Sequence, residues 1–293
     1  MGSLLAPDQE FSELENRYLQ TPPKLSLENL ESGKFMEDAE DYVNDHVIGR
    51  DFWVALKAWS ERLSGKQENN GVYFGKEDTL LNRLDEPDYD TLMTSAGYVN
   101  DLVYNLNVPV YFGIIPSSTE IWSDRLPAGA PTADEKTIID DLYDTVQTFT
   151  IDMYSALEEH KDEEIYYRTD HHWTSTGAYY AYKLLCDTLG LTPFDPSAHT
   201  VLTADGFYGT HYSKARTPDA EPDTITYYDL PNELTIYSVS GPGQPADGET
   251  TGLYDTAKLD VYDKYTMFLH GNNGLSRIRG DGTGRILVIK DSY

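Results

Sequence analysis

Residues capable of chemistry concentrate in two places. Asp170-His171-His172-Trp173 lies in the run from Tyr166 to Thr174, and Asp291-Ser292-Tyr293 ends the sequence. An Asp two residues before a His can supply a general base together with the carboxylate that fixes its tautomer. That pair lacks a nucleophile. Ser292 offers one, because it follows the apolar run Ile286-Leu287-Val288-Ile289, which reads as a buried strand. A serine just past the end of a parallel strand is where open α/β sheets place their chemistry. The expectation is a Ser-His-Asp unit: Ser292 attacks a carbonyl, His172 takes its proton and Asp170 orients the imidazole. By residue type alone, a helix-capping Asp170 and a packed surface His172 fit the same residues.

The paired histidines raise a metal reading as well. His171 and His172 are adjacent and so point to different sides, whereas helical metal pairs are three or four apart. With one cysteine and no His-Glu-x-x-His run, no metal is expected. His171 is then expected to face the sheet and Trp173 to wall the pocket, with Arg168 as a further pocket candidate. Asn272 and Asn273 are candidates for lining the site or, more simply, residues of a turn.

These residues need elements to carry them. Residues 1–30 are polar, with Pro22-Pro23, and read as an extended arm. Residues 31–293 read as one α/β domain. Apolar spacing predicts two helices between Ser32 and Ser64, joined by a turn at Asn44 to Asp51 whose His46 reads as structural. A hairpin around Val72-Phe74 and a helix from about Tyr89 to Asn105 follow. Val108 to Pro116 then reads as a buried strand. Pro131 to about His160 carries Ile138, Leu142, Val146, Phe149 and Met153 at helical spacing. Ile165-Tyr166-Tyr167 reads as a short strand that delivers the Asp-His-His-Trp segment to a helix from about Thr176 to Leu189. Ser175 or Thr176 would cap that helix and Gly190 would stop it. Approximately residues 194–263, rich in Thr, Pro, Asp and Gly, read as an irregular β-rich insertion. The sequence stops just past the Ile286-Ile289 strand, where a parallel sheet needs a further element, so it is expected to be cut within the domain.

Composition narrows the partners. Fifty acidic against 22 basic residues give a formal charge of -28 over 293 residues. A field of that sign repels nucleic acid and anionic membrane surfaces, so neither is expected as a partner. Twenty-three tyrosines against nine phenylalanines suit wet grooves and sugar surfaces, and equally suit half-buried sheets. The single Cys186 excludes an internal disulfide and reads as a core residue. No stretch approaches the roughly 18 apolar residues of a membrane span. Met1-Gly2-Ser3 reads as a cloning scar standing in place of any targeting segment.

The segment Tyr167-Arg168-Thr169-Asp170-His171-His172-Trp173-Thr174 resembles the signature of the DHHW proteins, a group of bacterial cell-surface proteins within the SGNH hydrolase superfamily. It is also similar to the Asp-x-His-Trp segment of the alginate O-acetyltransferases AlgJ and AlgX. Supporting stretches are Glu15-Asn16-Arg17, Asn44-Asp45-His46, Gly49-Arg50-Asp51, Glu68 to Tyr73, Gly209 with Ser213-Lys214, Gly271-Asn272-Asn273 and Leu287 to Tyr293. The resemblance implies an SGNH-like parallel sheet flanked by helices in circularly permuted order, with Asp170 and His172 first and Ser292 later. It implies an O-acetyltransferase or acetylesterase working through an acetyl-Ser292 intermediate on an exopolysaccharide or cell-wall glycan, outside the cell or in its envelope. The partners would be a polysaccharide acceptor, an acetyl donor of unspecified identity and other envelope-biosynthesis proteins, with no cofactor. In permuted order the oxyanion-hole Gly and Asn would come after Tyr293. The competing expectation is a non-catalytic surface protein that keeps the fold and binds polysaccharide or an envelope-assembly partner.

Overall fold

The computed structural model describes residues 9–12, 17–237, 248–280 and 282–293. Glu15 and Asn16, and the part of the loop expected between Ser240 and Gly252 that runs from Ser240 to Asp247, lie outside the described residues. Within the expected arm, β1 (Phe11–Ser12) pairs antiparallel with β2 (Arg17–Tyr18), and α1 (Leu27–Glu31) follows Ser26 as its cap. This stretch is docked: Leu19 is buried, and the Arg17 guanidinium meets the Asp45 carboxylate. Asp45 lies in α2 (Lys34–His46), which leads into α3 (Arg50–Leu63). His46 is buried with Nδ1 2.9 Å from the Tyr42 carbonyl oxygen. The apolar spacing that predicts this helix pair marks residues that stay on the surface, Phe52, Trp53 and Trp59 among them.

The predicted hairpin is a three-stranded antiparallel sheet of β3 (Glu68–Asn69), β4 (Val72–Phe74) and β5 (Leu80–Asn82), in that order. Helix α4 (Tyr89–Asn105) starts at an Asp88 cap. Next come β6 (Tyr111–Gly113), α5 (Ser118–Ile121), α6 (Glu135–Thr145), β7 (Phe149–Ile151) and α7 (Met153–Glu158). β6 and β7 pair in parallel, with Phe112 opposite Thr150, and the helical crossover between them is what a parallel pair requires. Phe149 therefore sits on a strand, not on the helix that its spacing suggested. Three consecutive residues with a β-branched centre, between a helix end at Val146 and the Asp152 cap, are too short a signal for periodicity to resolve.

Ile165-Tyr166-Tyr167 is buried as expected but is not a strand. It makes a single antiparallel bridge, Tyr166 with Trp173, because the chain turns straight back on itself. The Thr174 N–H donates to the Ile165 carbonyl at 2.9 Å and the Tyr167 N–H to the His172 carbonyl at 3.2 Å, closing a tight loop with Asp170 and His171 at its tip. Ile165 and Tyr166 enter a core with Tyr73, Leu81, Ile121, Trp122 and Leu157, while Tyr167 enters a second core with Phe207, Ile225, Tyr227 and Met267. Full burial of such side chains is worth roughly 1.5–3 kcal/mol each, so both walls of the loop are fixed by packing.

α8 (Ser175–Leu189) begins directly after this loop. Its cap is Thr174, one residue earlier than expected, and Gly190 ends it. The insertion is β-rich: β8 (Val201–Phe207) pairs with β9 (Asp223–Tyr228) around α9 (Thr210–Ala215). A second antiparallel sheet has β10 (Glu233–Tyr237) between β11 (Glu249–Gly252) and β12 (Leu275–Ile278). The protein is thus α/β, with its parallel element in β6 and β7. Ile286-Ile289 departs from expectation: it has no strand partner among the described residues, and all four side chains are exposed.

Gly177 shows how tightly α8 is set against the loop. A Cβ there would collide with the Ile165 carbonyl oxygen, which is backbone and cannot swing away. Gly177→Ala is expected to cost about 1–3 kcal/mol, read as a lower urea midpoint with an unchanged slope.

Candidate active site

Asp170 is 2% exposed, and burying a carboxylate in this way demands partners. It has them on both oxygens. Oδ1 accepts from the His172 N–H at 2.9 Å and lies 2.5 Å from His172 Nδ1, while Oδ2 accepts from the Thr210 N–H at 2.6 Å and the Thr210 hydroxyl at 3.0 Å. Burial pushes the Asp170 carboxyl upward, but the hydrogen bond and charge of His172, with smaller help from His171 and Thr210, outweigh it and hold the carboxyl well below the usual carboxylate range. Asp170 is therefore an anion at any pH where histidine titrates, and His172 carries its proton on Nδ1.

The opposite nitrogen of His172, Nε2, lies 3.0 Å from Ser292 Oγ. Ser292, His172 and Asp170 form one hydrogen-bonded line. The Tyr265 ring stacks on the imidazole at 3.8 Å between centroids and 14° between planes, which fixes its tilt. Ser292 is located by its neighbour, not by strand pairing. The Tyr293 ring packs on the first core, its hydroxyl donates to the His171 carbonyl at 2.5 Å, and its N–H donates to Asp291 Oδ1.

The loop bearing Asp170 is held from beneath by Asp223, at the start of β9. Its carboxylate accepts from the Arg168 N–H and Nε–H and from the Thr169 N–H and hydroxyl. Burial raises the Asp223 carboxyl, and those four donors work against the rise. Arg168, expected in the pocket, is thus a structural partner of Asp223 and also donates to the Pro222 carbonyl. Gly209 matters for space: a Cβ there would overlap the Asp170 side chain, so only glycine lets the start of α9 come close enough to donate to Oδ2.

The other candidates divide. His171 lines a cavity of about 320 Å³ that also touches Asn82 at the end of β5, Tyr293, Thr210, His211, Lys214 and Ser118. Trp173 does not wall that cavity; it packs on the first core, edge-on to Tyr293 at 5.7 Å. Asn272 is exposed, and the Asn273 side chain donates to the Leu269 and Gly271 carbonyls, closing its own turn away from the cavity. Asp170, His171 and His172 place potential ligand atoms within 4.8 Å of one another. The close atoms are already committed, however: His172 Nδ1 to Asp170, and His171 Nδ1 to Thr210 Oγ1 at 2.6 Å. Sequence reasoning missed Thr210, His211, Asp223 and Tyr265. Only the Gly-Thr-His run at Gly209-His211, a turn-to-helix junction carrying polar side chains, gave a local signal.

A serine hydroxyl on a neutral imidazole backed by a buried carboxylate can be deprotonated as it attacks an acyl carbon. The chain belongs to the DHHW protein family, whose model matches residues 96–293. Among solved structures it is similar to a DHHW family protein from Eubacterium siraeum DSM 15702, at 24% identity and a TM-score of 0.59 over 74% of this chain and 73% of that one. It is also similar to Bacillus cereus PatB1 with a sulfonyl adduct, at 18% identity and a TM-score of 0.55 over 72% and 74%. The O-acetyltransferase domain of Pseudomonas putida AlgJ aligns at 20% identity over 53% and 63%, with a TM-score of 0.41. No curated protein sequence matches. The first two likenesses carry the fold, an α/β arrangement.

His211 gives a pH test of this packing. Its Nδ1 lies 2.8 Å from the Leu80 carbonyl oxygen, and burial pushes the ring down to about 4, with Asp170 opposing. Between the unfolded value of 6.5 and about 4 the unfolded chain binds a proton that the native chain refuses, so stability falls as pH drops through that window. The loss should approach about 3 kcal/mol. His211→Gln should flatten that part of the pH dependence of the urea midpoint relative to wild type.

Proposed function

We propose that this protein is a serine acyl-transfer enzyme, an O-acetyltransferase or acetylesterase of the cell surface or envelope. In this reading Ser292 is the nucleophile, His172 the general base and Asp170 the orienting carboxylate. The observation that carries it is the continuous line from Ser292 Oγ through His172 Nε2 and Nδ1 to Asp170 Oδ1, at 3.0 and 2.5 Å.

The steps follow from that line. Ser292 Oγ attacks the acetyl carbonyl as its proton passes to His172 Nε2, and the imidazolium then gives that proton to the departing donor oxygen. A hydroxyl of the acceptor attacks the acetyl-Ser292 ester, its proton passes to His172 Nε2, and the return of that proton to Ser292 Oγ releases the enzyme. Asp170 stays ionised throughout and stabilises the imidazolium. No cofactor enters these steps. The acceptor in this reading is a polysaccharide hydroxyl, with water as the competing acceptor. Two things support a glycan: the family resemblance of the Asp-His-His-Trp segment, and a cavity beside the site whose lining includes His171, His211, Lys214 and Ser118.

Acetate release from a chromogenic acetyl ester checks the proposal. Ser292→Ala should abolish enzymatic release, and Asp170→Asn should lower kcat by about 10³–10⁴-fold, because the wrong tautomer of His172 is then favoured. Release by Ser292→Ala equal to wild type would refute it.

A further inference from the structure

The cavity next to the Ser292 line contains two imidazoles that the steps above do not use. Their proton positions follow from their partners. His211 is buried, and its Nδ1 faces the Leu80 carbonyl oxygen at 2.8 Å. A carbonyl oxygen only accepts, so Nδ1 carries the proton and Nε2 is a bare acceptor. For His171 the partner is Thr210 Oγ1 at 2.6 Å, which has a single hydrogen to give. That oxygen also lies 3.0 Å from Asp170 Oδ2, and an ionised carboxylate only accepts. The Thr210 hydrogen therefore goes to Asp170, the hydroxyl oxygen accepts from His171 Nδ1–H, and His171 Nε2 is bare as well. Among the described residues neither Nε2 has a hydrogen-bond partner, although both rings line the cavity.

The remaining polar lining says what these acceptors await. Lys214 lines the same cavity with no carboxylate partner among the described residues, and a cation at that wall disfavours a metal ion or an ammonium ligand. Ser118 is 2% exposed and lines the cavity; its carbonyl accepts from the Trp122 N–H, and its hydroxyl has no hydrogen-bond partner among the described residues. The lining thus offers two neutral acceptors, with Lys214 and Ser118 as donors. At about 320 Å³ the space is at the small end of ligand sites, enough for one ring rather than a chain. The His171 and His211 ring centroids are 6.2 Å apart, close enough for both to reach hydroxyls of one bound ring.

We propose that His171 and His211 form the acceptor-recognition site, in which each bare Nε2 takes a hydrogen bond from a hydroxyl of a neutral polyol, one sugar ring of the acceptor. This deepens the acyl-transfer reading, and rests on it only for calling the bound polyol an acceptor. The site reads hydroxyls adjacent to the one that reacts, and the reacting hydroxyl still gives its proton to His172. Asp170 then serves both halves of the site, orienting His172 directly and His171 through Thr210.

The test uses the whole chain with ¹⁵N-labelled histidine, titrated with a panel of methyl glycosides of neutral hexoses. Long-range ¹H–¹⁵N spectra should show both rings protonated on Nδ1 and bare on Nε2, and at least one glycoside should move both Nε2 signals saturably. His171→Phe should weaken that binding about tenfold, as loss of one hydrogen bond does, while His171→Gln, whose amide oxygen still accepts, should retain part of it. A proton on Nε2 of either ring, or signals that no glycoside moves, would overturn the assignment. Because the readout needs no turnover, the two readings fail separately. Glycoside binding by a chain whose Ser292 resists acylation would sink the enzyme alone, and an acylated Ser292 beside unresponsive rings would sink the recognition site alone.

Discussion

The structure around the site depends on one buried anion. Asp170 is enclosed, and a carboxylate so placed is tolerated only if its oxygens are fully hydrogen-bonded. Each donor it recruits fixes a different part of the chain. His172 supplies a backbone and a ring donor and is thereby locked in one tautomer. Thr210 supplies another backbone N–H and a hydroxyl, which ties the start of α9 to the loop and forces Gly209 to be small. Removing one partner from such a set typically costs about 3–5 kcal/mol, because a charge is left buried and incompletely compensated.

A second carboxylate makes the first possible. Asp223 holds the backbone of Arg168 and Thr169 just before Asp170, so the loop tip cannot drift away from its donors. On either side, Ile165 with Tyr166 and then Tyr167 anchor the loop in two different cores. Ser292 reaches His172 by another route. Tyr293 is half-buried against the first core and bonded to the His171 carbonyl, and this sets the serine within 3.0 Å of the imidazole while the preceding apolar residues stay exposed.

The parts of this arrangement carried by local signals were legible in the sequence. The Tyr89–Asn105 helix shows in its apolar spacing, the hairpin around Val72-Phe74 in its short strand-like run, and the Asp-His pair with a later Ser in residue type and spacing. What escaped depends on distant partners. Arg168 looks like a pocket residue until Asp223, 55 positions later, is seen to hold it. Asn272 and Asn273 look like donors, but a turn satisfies its own backbone first. Thr210 and His211 gain their roles only when α9 folds onto the loop. The Ile165–Tyr167 segment has the composition of a strand, yet the reversal that presents Asp170 leaves it a single bridge. Apolar content predicted a buried strand at Ile286–Ile289, but burial requires partners, and none lies among the described residues.

The central claim is that Ser292 is an activated nucleophile because His172, oriented by Asp170, takes its proton. Peptide mass spectrometry after exposure to a sulfonyl fluoride tests it most directly. The account predicts one sulfonyl adduct, on Ser292, formed by wild type and essentially lost in a folded His172→Ala variant. Equal labelling of Ser292 in that variant, or no adduct on Ser292 in the wild-type chain, would contradict it.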